Sequence, residues 1–116
     1  MNSSSLWEKL PDISISVTNA GNSSVSLSYD GSIIAIGTPY DNNASGRVFI
    51  FEYNGTVWNA LGGTIEPEYS GDQSGISVSL SNNGHSIAVA SRKTNGVFDG
   101  SARIFKYNQG LTSWQQ

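Results

Sequence analysis

Residues 24–37 read SVSLSYDGSIIAIG, and residues 77–90 read SVSLSNNGHSIAVA, 53 positions further along a chain of 116 residues. In each copy serine alternates with an apolar residue, the period-two pattern of a strand with one buried face. Each run meets a turn dipeptide, Asp30-Gly31 or Asn83-Gly84, which predicts a two-residue type I′ turn. The strands that return are predicted at Ile33–Ile36 and Ser86–Val89. The stretch therefore predicts a β-hairpin that occurs twice.

The residues that flank the hairpin recur as well. A polar loop ends at Gly46 or Gly100 and leads into an aromatic strand, RVFIFEYN or SARIFKYN. A tryptophan follows each strand, and LWEKLPDISI around Trp7 matches VWNALGGTIE around Trp58. Four short strands in a unit with a period of about 40 to 50 residues are typical of propeller blades. The sequence predicts an all-β fold with two blades of four antiparallel strands.

Composition excludes several classes of function. Without cysteine the chain has no disulfides and no thiolate metal sites. Its net charge of −3 and its six lysines and arginines argue against a nucleic-acid partner, which needs clustered cations. The longest apolar run, IIAIG, is far shorter than a membrane span. We expect no nucleic-acid partner and no membrane partner.

The second copy, GDQSGISVSLSNNGHSIAVA followed by GSARIFKYNQGLTSW, resembles repeats of the FG-GAP, integrin-α-like propeller superfamily. The first copy carries AIGTP at Ala35–Pro39, which is similar to the Gly-Ala-Pro of that family. The resemblance covers nearly the whole chain. It implies that the Ser-Val-Ser-Leu-Ser strand is innermost, that the tryptophan strand is outermost, and that an extracellular or surface location is slightly favoured.

The family's calcium loop is not matched. The resemblance would place an Asp-x-Asp-x-Asp-Gly loop between the first two strands of a blade, where this chain has only YDGS or NNGH. One carboxylate or none cannot supply the six to eight or so oxygen ligands that calcium prefers. We therefore expect no metal and no cofactor at that place.

The order of strands predicts an assembly of identical chains. Residues 1–20 are predicted to be an outer strand donated to a neighbour, residues 21–73 the first repeat, and residues 74–116 a second repeat that lacks most of its outer strand. An open sheet edge at one end and a lone strand at the other complement each other head to tail. Three chains would make six blades and four chains eight, and we favour the trimer. The residues expected to close the ring are Trp7, Leu10, Ile13, Ile15 and Trp114.

Catalytic and metal-binding alternatives are weaker. The lone His85 follows a turn, and it has no second ligand or orienting partner in the sequence. Glu66 and Glu68 are acidic neighbours of the kind that glycosidases use, but they flank Pro67 in a predicted loop. The stretch DNNASGRVFIFE has calcium-loop spacing, yet its last six residues read as a strand, which would carry Glu52 away from Asp41. We expect no enzyme and no metal site.

A binding surface is expected on the loops that join outer to inner strands and second to third strands. In propellers of the family these loops share one face, and their side chains could hold a glycan, a peptide or a protein. The predicted ligand-binding residues are Tyr40, Asp41, Asn42, Tyr69, Asp72, Arg92, Lys93 and Phe98. The leading hypothesis is a non-enzymatic binding or adhesion-type propeller module built from identical chains. The alternative is a purely structural, self-assembling propeller fragment without a ligand.

Overall fold

The computed structural model describes residues 6–93 and 99–116, and these residues form an all-β structure. Eight strands follow one another, with one short helical turn, α1 (Asp41–Ala44), between the second and the third. The strands are β1 (Ser24–Leu27), β2 (Ile33–Thr38), β3 (Arg47–Tyr53), β4 (Trp58–Ala60), β5 (Ser74–Leu80), β6 (Ser86–Ser91), β7 (Ser101–Asn108) and β8 (Ser113–Gln115). No helix in the described part of the chain is long and apolar enough to cross a membrane.

The strands form two four-stranded antiparallel sheets, which confirms the all-β prediction. The first sheet has the order β1-β2-β3-β4 and the second the order β5-β6-β7-β8. Their registers correspond, since Tyr53 pairs with Trp58 in the first sheet as Tyr107 pairs with Trp114 in the second. The repeat in the sequence is thus a repeat of one sheet. The outer strands β4 and β8 are both three residues long, and the prediction that the second repeat lacks most of its outer strand stays a prediction.

The hairpin turns are not of the predicted type I′. In the first turn only Gly31 has a positive φ, 75°, and its N–H donates to the Ser28 carbonyl at 3.0 Å. This arrangement is a type I turn followed by a left-handed glycine. The Asp30 carboxylate accepts hydrogen bonds from the Ser28 hydroxyl and from the N–H and hydroxyl of Ser32, and these local bonds favour that turn. The same bonds lower the pKa of Asp30, those from Ser32 most strongly.

One core lies between the two sheets. One face of the first sheet packs against one face of the second, and residues 61–65 of the connection between the sheets complete the core. Side-chain burial alternates along β2 and β6, as expected for strands covered unequally on their two faces. The buried apolar residues are Ile33, Ala35, Val48, Ile50, Leu61, Ile65, Val78, Ile87, Val89 and Phe105.

Glycines allow the two backbones to approach at one end of this interface. A Cβ atom on Gly37 would lie 2.2 Å from the carbonyl oxygen of Gly75, and one on Gly46 would lie 2.1 Å from that of Ser74. The hydroxyl of Ser24 donates to the Gly75 carbonyl at 2.9 Å beside this contact. No side chain larger than hydrogen fits at either glycine without moving the sheets apart.

Each sheet keeps one side that the other sheet does not cover. On the first sheet, Val25 is 66% exposed and Leu27 57% exposed, whereas the equivalent Val78 of the second sheet is 9% exposed. On the second sheet Ile104 is 57% exposed, whereas the equivalent Ile50 is 3% exposed. We call these sides the first open face (β1 and β2 around Val25 and Leu27) and the second open face (β6 and β7 around Ile104). The first open face is equivalent to the covered side of the second sheet. The second open face is equivalent to the covered side of the first sheet.

The N-terminal segment crosses the first sheet without forming a strand. Residues 6–23 have no strand pairing in this chain, so the outer strand predicted around Trp7 remains a prediction for an assembly. The segment is held by side chains: the Trp58 Nε1–H donates to the Pro11 carbonyl at 3.1 Å, and Arg47 Nη2 lies 3.5 Å from the Ser16 carbonyl.

Candidate functional site

Four loops meet at one end of the two sheets, where the sequence predicts a binding face. In the first loop the Thr18 N–H donates to the Asp41 carboxylate of the second loop at 2.9 Å. The Ala44 carbonyl of the second loop accepts the Gln73 N–H of the third loop at 2.8 Å. The third loop continues to the fourth, because the Asp72 carbonyl accepts the N–H groups of Arg92 and Lys93. We call this chain of loops the loop band (residues 18–22, 40–46, 69–74 and 92–93).

Asp41 is the centre of the band. Its side chain is buried, and one carboxylate oxygen accepts both the N–H and the hydroxyl of Thr18, at 2.9 and 3.1 Å. The other oxygen accepts the Arg47 Nε–H at 2.5 Å in an ion pair. Burial raises the pKa of Asp41, but the hydrogen bonds from Arg47 and Thr18 and the charge of Arg47 outweigh burial and hold that pKa below its usual value. Asp41 therefore fixes the loops and is not free to contact a ligand.

The turn that follows Asp41 is left-handed. Asn42 and Asn43 have φ values of 55° and 56°, and Ala44 has 63°. Asparagine tolerates this region, whereas alanine at such a φ costs about 1 to 2 kcal/mol. The Asn42 N–H donates to the Thr18 hydroxyl at 2.7 Å, which helps to hold the turn. The result is that the side chains of Asn42 and Asn43 are exposed at the surface of the band.

Asp72 has a similar internal role in the third loop. It is 2% exposed, and its Oδ2 accepts the Tyr69 N–H at 3.1 Å. The Ser45 hydroxyl accepts the Gly71 N–H at 3.0 Å and so ties this loop to the second. Asp72 therefore orders the loop that carries Tyr69, whose own side chain is 42% exposed.

The structure separates the predicted ligand-binding residues into two groups. Tyr40, Asn42, Tyr69, Arg92 and Lys93 reach the surface at least in part, whereas Asp41 and Asp72 are buried within the loops. Phe98 lies outside the described residues. A surface cavity of about 380 Å³ lies beside the first two loops, lined by Thr18, Asn19, Tyr40, Asn43 and Ala44.

Sequence reasoning missed Thr18 and Arg47, which hold Asp41. Thr18 lies 23 residues before Asp41, and no local pattern connects them. Arg47 opens an aromatic strand, where the sequence predicts sheet packing, and its guanidinium does lie over the Phe49 ring at 5.1 Å. A contact between loops so distant in sequence leaves no periodic signal.

The metal and catalytic alternatives gain no support from the geometry. The described residues contain no group of three His, Asp or Glu side chains that could hold a metal ion. Asp41 is engaged with Arg47, and Glu52 lies on β3, where it pairs with Ile33 and Asn59 across the sheet. His85 lies 6.0 Å from the Tyr107 ring, and Glu66 accepts a hydrogen bond from Thr64.

The tryptophans expected to close an assembly occupy two kinds of position. Trp114 packs on Tyr107 with ring centroids 5.3 Å apart, as Trp58 packs on Tyr53 at 5.1 Å. Each also donates its Nε1–H to a backbone carbonyl, from Trp114 to Leu61 at 2.9 Å. Trp7, which the sequence aligns with both, is 91% exposed. The other residues predicted for closure, Leu10, Ile13 and Ile15, lie in the irregular N-terminal segment.

Comparisons with known proteins give no relative. A scan against protein-family models, a search of curated proteins and a search of solved structures each returned no match.

Proposed function

We propose that the protein is a non-enzymatic binding or adhesion-type module of the β-propeller kind, built from identical two-blade chains. In this proposal each four-stranded sheet is one blade, as the resemblance to FG-GAP repeats implies, and the loop band is the ligand surface. Three chains would supply six blades, and four chains eight; we favour three.

The observation that carries the assembly is the first open face. Val25 and Leu27 are exposed apolar side chains, and their equivalents Val78 and Leu80 are covered by the first sheet of the same chain. A second copy that placed its second open face here would cover them in the same way. Head-to-tail contacts of this kind form a ring when the rotation between copies closes.

A hydrogen bond across the internal contact supports the same arrangement. The Leu80 N–H of the second sheet donates to the Ser26 hydroxyl of the first at 3.0 Å. The equivalent pair in a contact between copies is the Leu27 N–H of one copy and the Ser79 hydroxyl of the other. Both groups exist in the repeated Ser-Val-Ser-Leu-Ser strands, so this hydrogen bond can recur between copies.

The loop band supports a ligand through its exposed aromatic, amide and cationic groups. Tyr40 borders the surface cavity, and Tyr69, Asn42 and Arg92 belong to adjoining loops that hydrogen bonds hold together. Flat aromatic surfaces and amides are suited to a glycan or a peptide.

One observation favours the alternative of a structural module without a ligand. Both carboxylates predicted for the ligand surface, Asp41 and Asp72, are buried and accept hydrogen bonds from residues of the protein itself. Polar side chains that hold the loops in place are not available to a ligand, as expected for a structural scaffold. In that alternative the assembly itself is the function.

Glycan and protein arrays probed with the purified protein separate the two candidates. The binding module predicts specific spots that are lost in Tyr40→Ala or Tyr69→Ala and kept in Tyr29→Ala, which changes an exposed tyrosine in the β1–β2 turn, outside the band. A protein that self-associates but binds nothing on broad arrays would contradict the ligand proposal and favour the structural module.

A further inference from the structure

Two segments of the chain lie on the two sheets in the same way. The Trp58 Nε1–H contacts the Pro11 carbonyl, and the Trp114 Nε1–H contacts the Leu61 carbonyl, 50 positions later. Arg47 Nη2 lies 3.5 Å from the Ser16 carbonyl, and Arg103, which lies two residues beyond the equivalent of Arg47 on the same face of its strand, donates to the Glu66 carbonyl, again 50 positions later. Residues 11–16 therefore cover the first sheet as residues 61–66 cover the second. These contacts are shifted by one residue from the sequence match, which aligns Leu10 with Leu61, so in the structure Ile15 takes the place of Ile65.

The later segment has a second role, which the earlier one lacks in this chain. While it covers the second sheet, it also extends the outer edge of the first sheet. Leu61 donates to the Ile50 carbonyl at 2.8 Å, and Ile65 exchanges two hydrogen bonds with Val48, at 2.9 and 3.0 Å. Ile65 is thereby a strand residue of one sheet and a cover residue of the next.

The second sheet has an open edge where this pairing would recur. Val48 pairs with Gly37 across the first sheet, and Ala102 pairs with Ala90 at the same place in the second. The fourth strand β8 pairs only with Lys106–Asn108. Within the described part of the chain, no strand or bridge lies beside residues 101–105 on the side away from β6. An unpaired strand edge is a ready site for a further strand.

We propose that residues 11–16 of one copy form the missing outer strand on β7 of a second copy, with Ile15 opposite Ala102. This inference rests on the proposed assembly and assigns its register. The N–H and C=O of Val48 point outward to Ile65, so those of Ala102 point outward as well and meet the N–H and C=O of Ile15.

The register also defines what each end of the segment contributes. Pro11 takes the place of Leu61 but has no N–H, so the bond from Leu61 to Ile50 has no counterpart and the pairing depends on Ile15. Trp114 and β8 keep their place on the second sheet. One segment then covers the first sheet of its own copy and completes the second sheet of its neighbour.

A cysteine pair tests this register. The natural chain has no cysteine, so Ile15→Cys and Ala102→Cys, made in separate chains and mixed, can join only to each other or to themselves. Mild oxidation is expected to give a disulfide-linked heterodimer at least tenfold faster than a mixture of Ser14→Cys with Ala102→Cys. Ser14 is the matched control, because neighbouring strand residues point to opposite sides.

A second variant does not depend on a disulfide. Ala102→Pro removes the outward N–H of an edge residue, a place where proline is tolerated, so circular dichroism of the variant should match that of the natural chain. Its self-association, measured by sedimentation velocity, should weaken at least tenfold.

The outcomes separate the register from the proposed function. A chain that self-associates, gives equal rates for the Ile15 and Ser14 mixtures and is unaffected by Ala102→Pro overturns the register while the assembly stands. A natural chain that sediments as a monomer at every concentration overturns both. Selective cross-linking together with weakened association of the proline variant supports the register.

Discussion

Val25 and Val78 occupy the same position in the two repeats and differ in what covers them. Val25 is 66% exposed and Val78 is 9% exposed, because the first sheet of the chain packs on the second sheet and nothing in the described part of the chain packs on Val25 in return. Substitution of serine at each position should therefore affect two different quantities, association for Val25→Ser and the free energy of unfolding for Val78→Ser.

The magnitude follows from the change in exposure. Full burial of a valine side chain is worth about 1.5 to 3 kcal/mol. If a second copy reduces the exposure of Val25 from 66% to the 9% of Val78, a little over half of that energy is gained at the contact. Val25→Ser should thus cost about 0.9 to 1.7 kcal/mol of association, which weakens it by about 5- to 20-fold. In the single chain the same change should alter unfolding by less than about 0.5 kcal/mol.

Sedimentation velocity over a dilution series measures the association, and urea unfolding at the lowest concentration measures stability. Val78→Ser is the matched control and should lower the free energy of unfolding by about 2 to 3 kcal/mol, since it removes buried methyl groups and buries a hydroxyl. A Val25→Ser protein that associates as tightly as the natural chain would refute the reasoning.

Three further predictions concern the loops and the contact between the sheets. Asp41→Asn should lower the free energy of unfolding by about 1.5 to 3 kcal/mol at pH 7, whereas Asp12→Asn, at an exposed ion pair, should change it by less than about 0.5 kcal/mol. Because the folded pKa of Asp41 is lowered, the stability that its carboxylate contributes is complete above the unfolded pKa of about 3.9 and is lost as pH falls through the folded pKa. The difference in free energy of unfolding between the natural and Asp41→Asn proteins, measured in urea, should therefore shrink in acid. A difference that stays constant with pH would contradict this. Gly37→Ala should cost about 1 to 3 kcal/mol in thermal unfolding because its Cβ meets the Gly75 carbonyl, and Gly63→Ala, with nothing within 4 Å, should not; equal effects would contradict the close approach. Ala90→Gly, at the place equivalent to Gly37, should tighten association by about tenfold in sedimentation, and weaker association would count against a repeat of the internal contact.

The strands could be predicted from the sequence because their signals are local. The alternation of Val25 and Leu27 with serines, and its copy 53 residues later, identified β1 and β5 and the strands that return from them. The turn type was wrong because the Asp30 side chain bonds to Ser28 and Ser32, which a dipeptide rule does not consider.

The loop residues show where sequence reasoning stops. Asp41 and Asp72 have the residue type and the loop position of ligand-binding groups, and the sequence predicted them as such. Their burial depends on contacts from Thr18 and Arg47 to Asp41, and on the way Asp72 holds Tyr69. Such contacts join segments that the fold brings together, so they leave no pattern in the chain. Whether Tyr40 and Tyr69 bind a ligand stays a prediction.

The mass of the protein in solution tests the central claim most directly. Light scattering over a dilution series measures it without reference to any ligand. We predict a particle of several chains, with three favoured, each chain contributing 12.3 kDa. A well-folded particle of 12.3 kDa at every concentration would contradict the assembly, because Val25 and Leu27 would then remain uncovered.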